Sequence, residues 1–239
     1  MISFCCPSRG RPKLARRLID TALETAKHEV DIMFYLNDDD PLLEWYQDLI
    51  KEKYYIIGPN QSTCLSWNEL AYKAKYDIVM LMGDDVQVQT SHWDQLIVDE
   101  FNKYEDKILM VVPSDGRPKN IEKYGNNVKL WGDSSLPAAH FAIHKNWIDT
   151  VGYLAPPHFW HFYVDTYTQK VARKLNRCLY LPTVVFKAKK LFDKTGMQVR
   201  SNLKIAKRDD FVWTKVRERH LQTDVNILTN FIKEYGKNI

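Results

Sequence analysis

Short apolar runs alternate with amphipathic segments along the first 85 residues of the chain. Runs with the length of strands lie at 2–6, 30–36, 54–57 and 77–82. Segments with apolar residues at helical spacing begin near Pro12, Leu42 and Ser62. Apolar strands that alternate with helices are typical of a parallel sheet covered on both faces. The pattern predicts an α/β fold of three layers, Rossmann-like, with a mostly parallel central sheet.

The pattern becomes less regular beyond residue 85. Helices are predicted at 93–104, 164–175 and 223–235, and strands at 108–112, 138–144 and 178–186. Residues 115–133 are rich in Gly, Asn and Lys and are predicted to form a loop. We therefore expect the second half to extend the sheet and to cover it with further helices.

Polar clusters follow three of the first four predicted strands. They lie at 8–11, 37–40 and 83–85. In parallel α/β sheets, ligands bind just beyond the carboxyl ends of the strands. The three clusters are therefore expected to share one edge of the sheet and to form a ligand site.

Asp84 and Asp85 form an acidic pair directly after an apolar strand. Hard divalent cations such as Mg²⁺ and Mn²⁺ prefer oxygen ligands, often one or two carboxylates together with substrate phosphates. The pair predicts a metal site that suits a nucleoside diphosphate. The alternative is an ordinary acidic surface turn.

The other two clusters have nucleotide-binding chemistry. Asn37, Asp38 and Asp39 can accept hydrogen bonds from a ribose or base, although a turn before Pro41 is the plainer explanation. In the first loop, Ser8 is followed by Arg9 and Arg11, and arginine binds phosphate with two hydrogen bonds. The alternative is a basic loop without a ligand. The Gly-rich fingerprints of a dinucleotide-binding dehydrogenase and of a P-loop NTPase are lacking.

Asp165 stands at the start of a predicted helix, after an aromatic segment that includes Trp160 and His161. A carboxylate there is favoured by the helix dipole, and it can act as a general base or only as a cap. The histidines have no spacing typical of a metal site. Lone core or surface roles are expected for them, although His140, His144, His158, His161 or His220 could complete a metal shell.

Charge is distributed unevenly along a chain whose net charge is +4. Residues 187–220 contain eleven Lys or Arg and four Asp or Glu, a balance of +7 that leaves about −3 elsewhere. Such a stretch suits an anionic partner, or forms a solvated face. Four scattered cysteines are expected to be reduced core thiols. We expect a cytoplasmic protein without a membrane-spanning segment or an amphipathic anchor.

Residues 64–85 resemble the helix–strand–DXD block of family-2-like GT-A glycosyltransferases. Asn68 stands at the family's helix Asn, Ala74 before the strand, and Asp84-Asp85 at the acidic motif. The resemblance covers about residues 1–185, and it implies a GT-A-like catalytic domain at 1–186. A basic extension at 187–239 is expected to pack on or near the active site.

The resemblance implies an inverting glycosyltransferase that uses a nucleoside-diphosphate sugar, UDP-linked, with Mn²⁺ or Mg²⁺. Asp85, helped by Asp84, would hold the metal, and Asp165 would be the catalytic base. The donor would be bound by Pro7, Ser8, Arg9, Arg11, Asn37, Asp38, Asp39, Asn68 and Asp84.

The chain departs from the family at three positions. Gly83 replaces the usual first Asp of DXD, and Val164 replaces the Glu that usually precedes the base. Lys187, Lys189 and Lys190 follow the strand where many relatives offer a metal-binding His. A lysine there would instead neutralise the diphosphate leaving group.

The acceptor is expected to meet Trp160, His161, Lys204, Lys207 and Arg208. The basic stretch suits DNA, for example a phage-type enzyme acting on hydroxymethylated bases, or another polyanion. A cell-surface polysaccharide is an equal alternative. Two rival functions are a non-catalytic nucleotide- or glycan-binding protein on the same fold, and a nucleotidyltransferase.

Overall fold

The computed structural model of the chain describes residues 1–116, 129–130, 139–188 and 202–235. The described strands are β1 (Ile2–Ser8), β2 (Val30–Asn37), β3 (Tyr55–Gly58), β4 (Ile78–Leu81), β5 (Val86–Val88), β6 (Met110–Ser114), β7 (Lys129–Leu130), β8 (Phe141–His144) and β9 (Cys178–Ala188). They form one sheet in the order β3-β2-β1-β4-β8-β6-β9-β5, and β7 pairs with β9.

Helices connect and cover these strands. The described α-helices are α1 (Pro12–Thr25), α2 (Leu43–Leu49), α3 (Thr63–Lys73), α4 (Trp93–Asn102), α5 (Lys145–Val151), α6 (Val164–Lys174), α7 (Leu203–Phe211) and α8 (Arg217–Tyr235). A 3₁₀ turn at Glu52–Tyr54 precedes β3, and a π-helical turn at Val212–Val216 joins α7 to α8. Within the described residues, no helix is both long and apolar enough to cross a bilayer.

The first four strands form the parallel half of the sheet. β1 pairs in parallel with both β2 and β4, and β2 pairs in parallel with β3. The helices between them begin where the sequence predicts, because Pro12 suits a first helical turn and the Ser62 side chain accepts the Leu65 N–H at the start of α3. The predicted β-α-β order is confirmed here, and the carboxyl ends of these strands share one edge.

The second half completes the sheet out of chain order. β8 lies antiparallel between β4 and β6, and the long strand β9 is parallel to β6 but antiparallel to β5 and β7. Strand β5 was not expected from the sequence, because an alternation of apolar and polar residues over only three positions is too short to indicate a strand. The described sheet is thus mixed and mostly parallel, as predicted.

Two apolar clusters lie on the two faces of the sheet. One contains the buried side chains of α1, α2 and α4, and the other those of α3, α5, α6 and α8. Neighbouring strand residues point to opposite faces. Cys6 accordingly belongs to the first cluster and Cys5 to the second. All four cysteines are buried free thiols, as expected. The three-layer prediction is confirmed.

The final helices pack onto the second face. Leu221 and Leu228 of α8 are buried in the same cluster as Trp147 and Tyr167. The Asp224 carboxylate accepts hydrogen bonds from the hydroxyls of Tyr153 and Tyr167, the latter at 2.7 Å. Helix α8 begins at Arg217, six residues before the predicted start. This part of the predicted extension therefore contributes to the core.

Candidate functional site

The first loop and the acidic turn after β4 meet at the carboxyl edge of the sheet. The Ser8 hydroxyl donates to Asp84 Oδ2 at 2.7 Å, and Arg11 Nη1 donates to Asp84 Oδ1 at 2.8 Å. Tyr46 of α2 joins them, because its hydroxyl lies 2.6 Å from Ser8 Oγ and accepts the Arg11 backbone N–H at 2.8 Å. The structure therefore brings together two of the predicted polar clusters.

Asp84 is enclosed by this network and is 4% exposed. Burial raises the pKa of its carboxyl to about 6, and the nearby charge of Asp85 adds to the rise, although Arg11 and Ser8 act in the opposite direction. Both carboxylate oxygens already have partners. Asp84 is thus placed to fix the two loops relative to each other.

Asp85 lies beside Gly83 and His140. A Cβ built on Gly83 would lie 3.1 Å from Asp85 Oδ1 and 3.4 Å from His140 Cε1. The carboxylate of Asp85 and the buried imidazole of His140 therefore fill the space next to position 83. In the family that the sequence resembles, this position usually carries the first Asp of DXD. This proximity explains why glycine suits position 83, and it adds His140 to the acidic turn.

Asp85 and His140 are the two side chains of this turn that could bind a metal ion. A carboxylate oxygen and an imidazole are both ligands of Mn²⁺. No group of three or more His, Cys, Asp or Glu side chains that could hold a metal occurs among the described residues. A cation here would therefore take its remaining ligands from water and from donor phosphates, which is usual for Mg²⁺-type sites. The residues fit such a shared site.

The second cluster is connected to the first loop by Arg9 and Gly10. Arg9 forms an ion pair with Asp39, which lowers the pKa of that carboxyl, and Asn60 adds a hydrogen bond of 3.0 Å. The buried Asp40 accepts the Gly10 N–H at 2.7 Å. Asp38 is exposed at the rim, and the neighbouring Asn37 amide donates to the Pro59 carbonyl at 3.4 Å. The three predicted donor-binding clusters therefore form one contiguous edge, which begins at Pro7 of β1.

Two contacts fix the acidic turn from the surrounding elements. The Trp67 indole of α3 donates to the Met82 carbonyl at 3.2 Å, immediately before Gly83. On the other side, β5 follows the turn and pairs with β9, so that Lys187 lies opposite Gln87. Lys187 is exposed and close in register to the acidic turn. Lys189 and Lys190 lie outside the described residues.

Asn68 holds a loop at the same edge. Its amide donates to the Ala155 carbonyl at 2.8 Å and accepts the N–H groups of Leu154 and Ala155 at 2.9 and 2.8 Å. The predicted donor-binding side chain is thus engaged with backbone in the structure. Its visible role is to position the start of the aromatic loop, which we define as residues 156–163.

The aromatic loop is held from both sides. Cys64 of α3 donates its N–H to the Trp160 carbonyl at 3.3 Å, and Thr63 Oγ1 lies 2.9 Å from His161 Nδ1. On the other side, the fully buried Asp209 of α7 accepts three consecutive backbone N–H groups, those of Trp160, His161 and Phe162, at 2.8 to 2.9 Å. Asp209 was not predicted from the sequence, because acids scattered in a basic stretch, here Asp209 beside Asp210, have no pattern that indicates a loop contact.

The predicted acceptor residues are partly brought together. The Arg208 guanidinium lies 5.0 Å from the ring centroid of Trp160, and Trp160 is 39% exposed. Lys204 and Lys207 are exposed on the same helix, α7. His161 instead stacks on Trp67 at 6.5 Å between ring centroids, and burial lowers the pKa of its imidazole. The exposed surface is therefore formed by Trp160 and the cations of α7.

Asp165 occupies the first turn of α6, directly after the aromatic loop. Burial raises the pKa of its carboxyl, although the backbone and side chain of Thr166 both donate to Oδ1, at 2.7 and 3.2 Å. The aromatic loop is tied to the start of α3, which follows the carboxyl end of β3. A buried carboxyl with a raised pKa therefore stands directly after a loop that is tied to α3.

Comparison with known proteins identifies the fold. No protein-family model matches the chain, and no curated protein sequence matches it. Among solved structures, the mannosyltransferase PcManGT from Pyrobaculum calidifontis, in complex with GDP-Man and Mn²⁺, superposes with a TM-score of 0.64. It is 11% identical, and the alignment covers 96% of this chain and 74% of that one.

Two structures of S. aureus TarS 1–349 are also similar. The complex with UDP has a TM-score of 0.59 at 12% identity, over 94% of this chain and 69% of that one. The complex with UDP-GlcNAc has a TM-score of 0.57 at 11% identity, over 96% and 72%. At such identities the likeness is one of fold. The chain shares the GT-A-like α/β fold of these solved structures, as the resemblance of residues 64–85 implied.

Proposed function

We propose that the protein is a metal-assisted glycosyltransferase that transfers a sugar, with inversion, from a UDP-linked donor to a hydroxyl acceptor. The observation that carries the proposal is the joined edge at Ser8, Arg11 and the acidic pair Asp84-Asp85, on a fold shared with proteins solved with nucleotides or nucleotide sugars. These loops lie where α/β sheets bind nucleotides.

In this proposal Asp85 and His140 would hold Mn²⁺ or Mg²⁺, and the donor phosphates would supply further oxygen ligands. A bound divalent cation supplies charge neutralisation on the diphosphate as it leaves. Asp84 has a positioning role, since its ion pair with Arg11 fixes the first loop against the acidic turn. The exposed Lys187, on β9 next to β5, is placed to add positive charge near the leaving group.

In this proposal the donor is oriented by the polar residues that follow β1 and β2 at the same sheet edge. The exposed acids Asp38 and Asp39 can accept hydrogen bonds from the base and ribose, and Arg9 can turn from Asp39 to a phosphate oxygen. Asp39 is half exposed and Arg9 one-third exposed, so that this pair can be rearranged by a ligand. The buried pair of Arg11 and Asp84 stays in place.

Asp165 is the proposed general base for the acceptor hydroxyl. Its raised pKa makes it a stronger base than an exposed aspartate, and the base function requires the ionised form. One base on the acceptor side and charge neutralisation on the leaving-group side suit a single displacement with inversion. The exposed Trp160 ring, with Arg208 above it, belongs to the aromatic loop that leads to Asp165, and it would form the surface that an acceptor contacts.

The proposal is tested by calorimetric titration of UDP and GDP, with and without Mn²⁺, followed by assay of UDP release from a panel of UDP-sugars. Wild type should bind UDP in a Mn²⁺-dependent manner. Asp85→Asn removes the negative charge that a hard cation requires, so metal-dependent binding and turnover should be lost. Asp99→Asn, which changes an exposed acid on α4, should behave as wild type.

Three outcomes would count against the proposal. Turnover that persists in EDTA or in Asp85→Asn would remove the metal from the mechanism. Metal-dependent UDP binding without sugar release from any donor would favour the non-catalytic binding protein. Incorporation of a nucleotide rather than a sugar into product would favour the nucleotidyltransferase.

A further inference from the structure

Helix α7 presents two large apolar side chains to solvent. Leu203 is 68% exposed and Phe211 is 61% exposed. They are eight residues apart, roughly two helical turns, so they lie along one side of the helix. Exposed apolar residues scattered singly are common on proteins, but an aligned pair at this exposure indicates a contact surface.

The same side of α7 is basic. Lys207 lies between the two apolar side chains at the i+4 position, and Lys204 and Arg208 flank them, all three exposed. The two acids of this helix offset only part of these charges. Asp209 is fully buried on the inner side, whereas Asp210 is exposed and its carboxylate is hydrogen-bonded to the Tyr163 hydroxyl, so that three exposed cations stand against one exposed acid.

The opposite side of α7 is held firmly against the rest of the molecule. Asp209 accepts the three N–H groups of the aromatic loop from directly beneath the outer face. Arg208 lies over Trp160, so that the exposed indole edge continues the apolar and basic surface. We define the α7 surface as Trp160, Leu203, Lys204, Lys207, Arg208 and Phe211.

We propose that the α7 surface docks on an anionic lipid surface. Leu203 and Phe211 enter the boundary between headgroups and acyl chains, and the three cations meet lipid phosphates. An aromatic side chain and cations alone would also suit a nucleic acid, but an exposed leucine finds no partner along a phosphate backbone. The paired apolar side chains therefore favour lipid over nucleic acid.

Docking would place Trp160 of the aromatic loop, which leads to Asp165, close to the plane of the headgroups. An acceptor carried in or on the membrane could then reach the proposed active site without leaving the membrane. The docking itself goes beyond the proposed function and does not depend on it, because the binding assay uses neither donor nor turnover.

The test is co-sedimentation of the full chain with vesicles of phosphatidylcholine alone or mixed with phosphatidylglycerol. Binding is expected to the mixed vesicles only, and it should weaken as salt is raised. Removing each cation, as in Lys207→Gln, should weaken binding about fivefold, as expected for a basic side chain near an anionic leaflet. Phe211→Ser should weaken it about tenfold through lost apolar burial.

Matched controls come from α3, which carries an exposed aromatic and a neighbouring exposed lysine. Tyr72 is 91% exposed, and both Tyr72→Ser and Lys73→Gln should bind the mixed vesicles as wild type does. All substituted side chains are exposed, so folding is expected to be retained and is checked by circular dichroism.

Absence of binding to the mixed vesicles at low salt would overturn the proposal. An equal loss of vesicle binding in the α7 and α3 variants would also overturn the proposal. The vesicles would then be attracted by the overall charge of the protein rather than by the α7 surface. A shift of duplex DNA that Lys207→Gln weakens, in a protein that does not sediment with vesicles, would assign the α7 surface to nucleic acid instead.

Discussion

Asp84 shows how one buried carboxylate couples the site to pH. Its pKa is raised from an ordinary 3.8 to about 6, so the folded protein holds this proton more tightly than the unfolded chain does. The stability that this proton provides is fully present below about pH 4 and is lost as the pH rises through about 6. In the opposite direction, acid protonates Asp84 and weakens its ion pair with Arg11.

We therefore predict a pH-dependent difference between wild type and Asp84→Asn. The variant lacks the titrating group, so the free energy of unfolding of wild type should fall relative to that of the variant between about pH 4 and pH 6, and the difference should then level off. Denaturant titrations at a series of pH values measure it. A difference that stays constant over this range would show that Asp84 has an ordinary pKa.

Asp165 leads to a prediction about turnover. Because burial raises its pKa, the acid limb of the kcat profile should lie above the range of an exposed aspartate. Asp165→Asn should lower kcat by roughly 10²–10⁴-fold and remove that limb while UDP affinity is retained. Loss of UDP affinity would instead place Asp165 in the donor pocket or in the fold.

Thr166→Val provides the matched variant for this prediction. It removes the hydroxyl that donates to Asp165 Oδ1, a hydrogen bond that stabilises the ionised form. The pKa of Asp165 should rise further, and the acid limb should move to higher pH with little change in the plateau. An unmoved limb would show that another group controls the profile.

The site could be predicted only in part from sequence. The meeting of Ser8, Arg11 and Asp84 could be predicted because polar residues directly after parallel apolar strands share one sheet edge. The sequence could not show that Asp84 forms an ion pair with Arg11, nor that His140 lies beside Asp85. Those facts depend on side-chain packing between segments far apart in the chain, and no local pattern records such packing.

The connection of α7 to the aromatic loop leads to a prediction about stability. Asp209→Ala should leave three part-buried backbone N–H groups without their acceptor, at a cost of up to about 1–3 kcal/mol for each group that water does not reach. With partial rearrangement, a total loss of about 3 kcal/mol would lower Tm by about 6–12 °C. Differential scanning calorimetry measures this change.

Asp210→Ala is the control for that prediction. The neighbouring acid is exposed and contacts the Tyr163 hydroxyl, so its removal should change Tm by much less. Equal effects at the two positions would indicate general destabilisation of α7 rather than loss of the support that Asp209 gives to the loop.

The strands and helices were predicted with uneven success. The alternation up to residue 85 was sufficient for β1 to β4 and their helices, because each element there has its own complete apolar pattern. The strand at 138–144 was expected, but its antiparallel insertion between β4 and β6 was not. The spacing of apolar residues does not indicate in which direction a strand runs. The outer face of α7 was likewise missed, because its leucine and phenylalanine are two turns apart among charges.

The packing of α8 leads to a prediction for a shortened chain. Leu221 and Leu228 are buried among the side chains of α5 and α6, so a chain that ends at residue 201 would expose that apolar cluster. We expect this chain to lose near-ultraviolet circular dichroism and to aggregate. A soluble 1–201 chain with cooperative unfolding would instead support the predicted division at residue 186.

A matched pair of point variants gives the same information in the full chain. Leu228 is fully buried, and its neighbour Ile227 is 40% exposed. Leu228→Ala should cost about 2–5 kcal/mol of unfolding free energy, and Ile227→Ala should cost far less. Similar small costs at both positions would mean that α8 contributes little to the core.

The insertion of β8 between β4 and β6 has a consequence for synthesis on the ribosome. Strand β4 emerges early with every side chain apolar and buried in the final fold, but its second neighbour begins only at Phe141, about 60 residues later. At ordinary elongation rates this delay lasts roughly 3–12 s. During that time the backbone N–H and C=O groups along one edge of β4 have no partner strand and can pair with another chain. The nascent chain should therefore bind ribosome-associated chaperones.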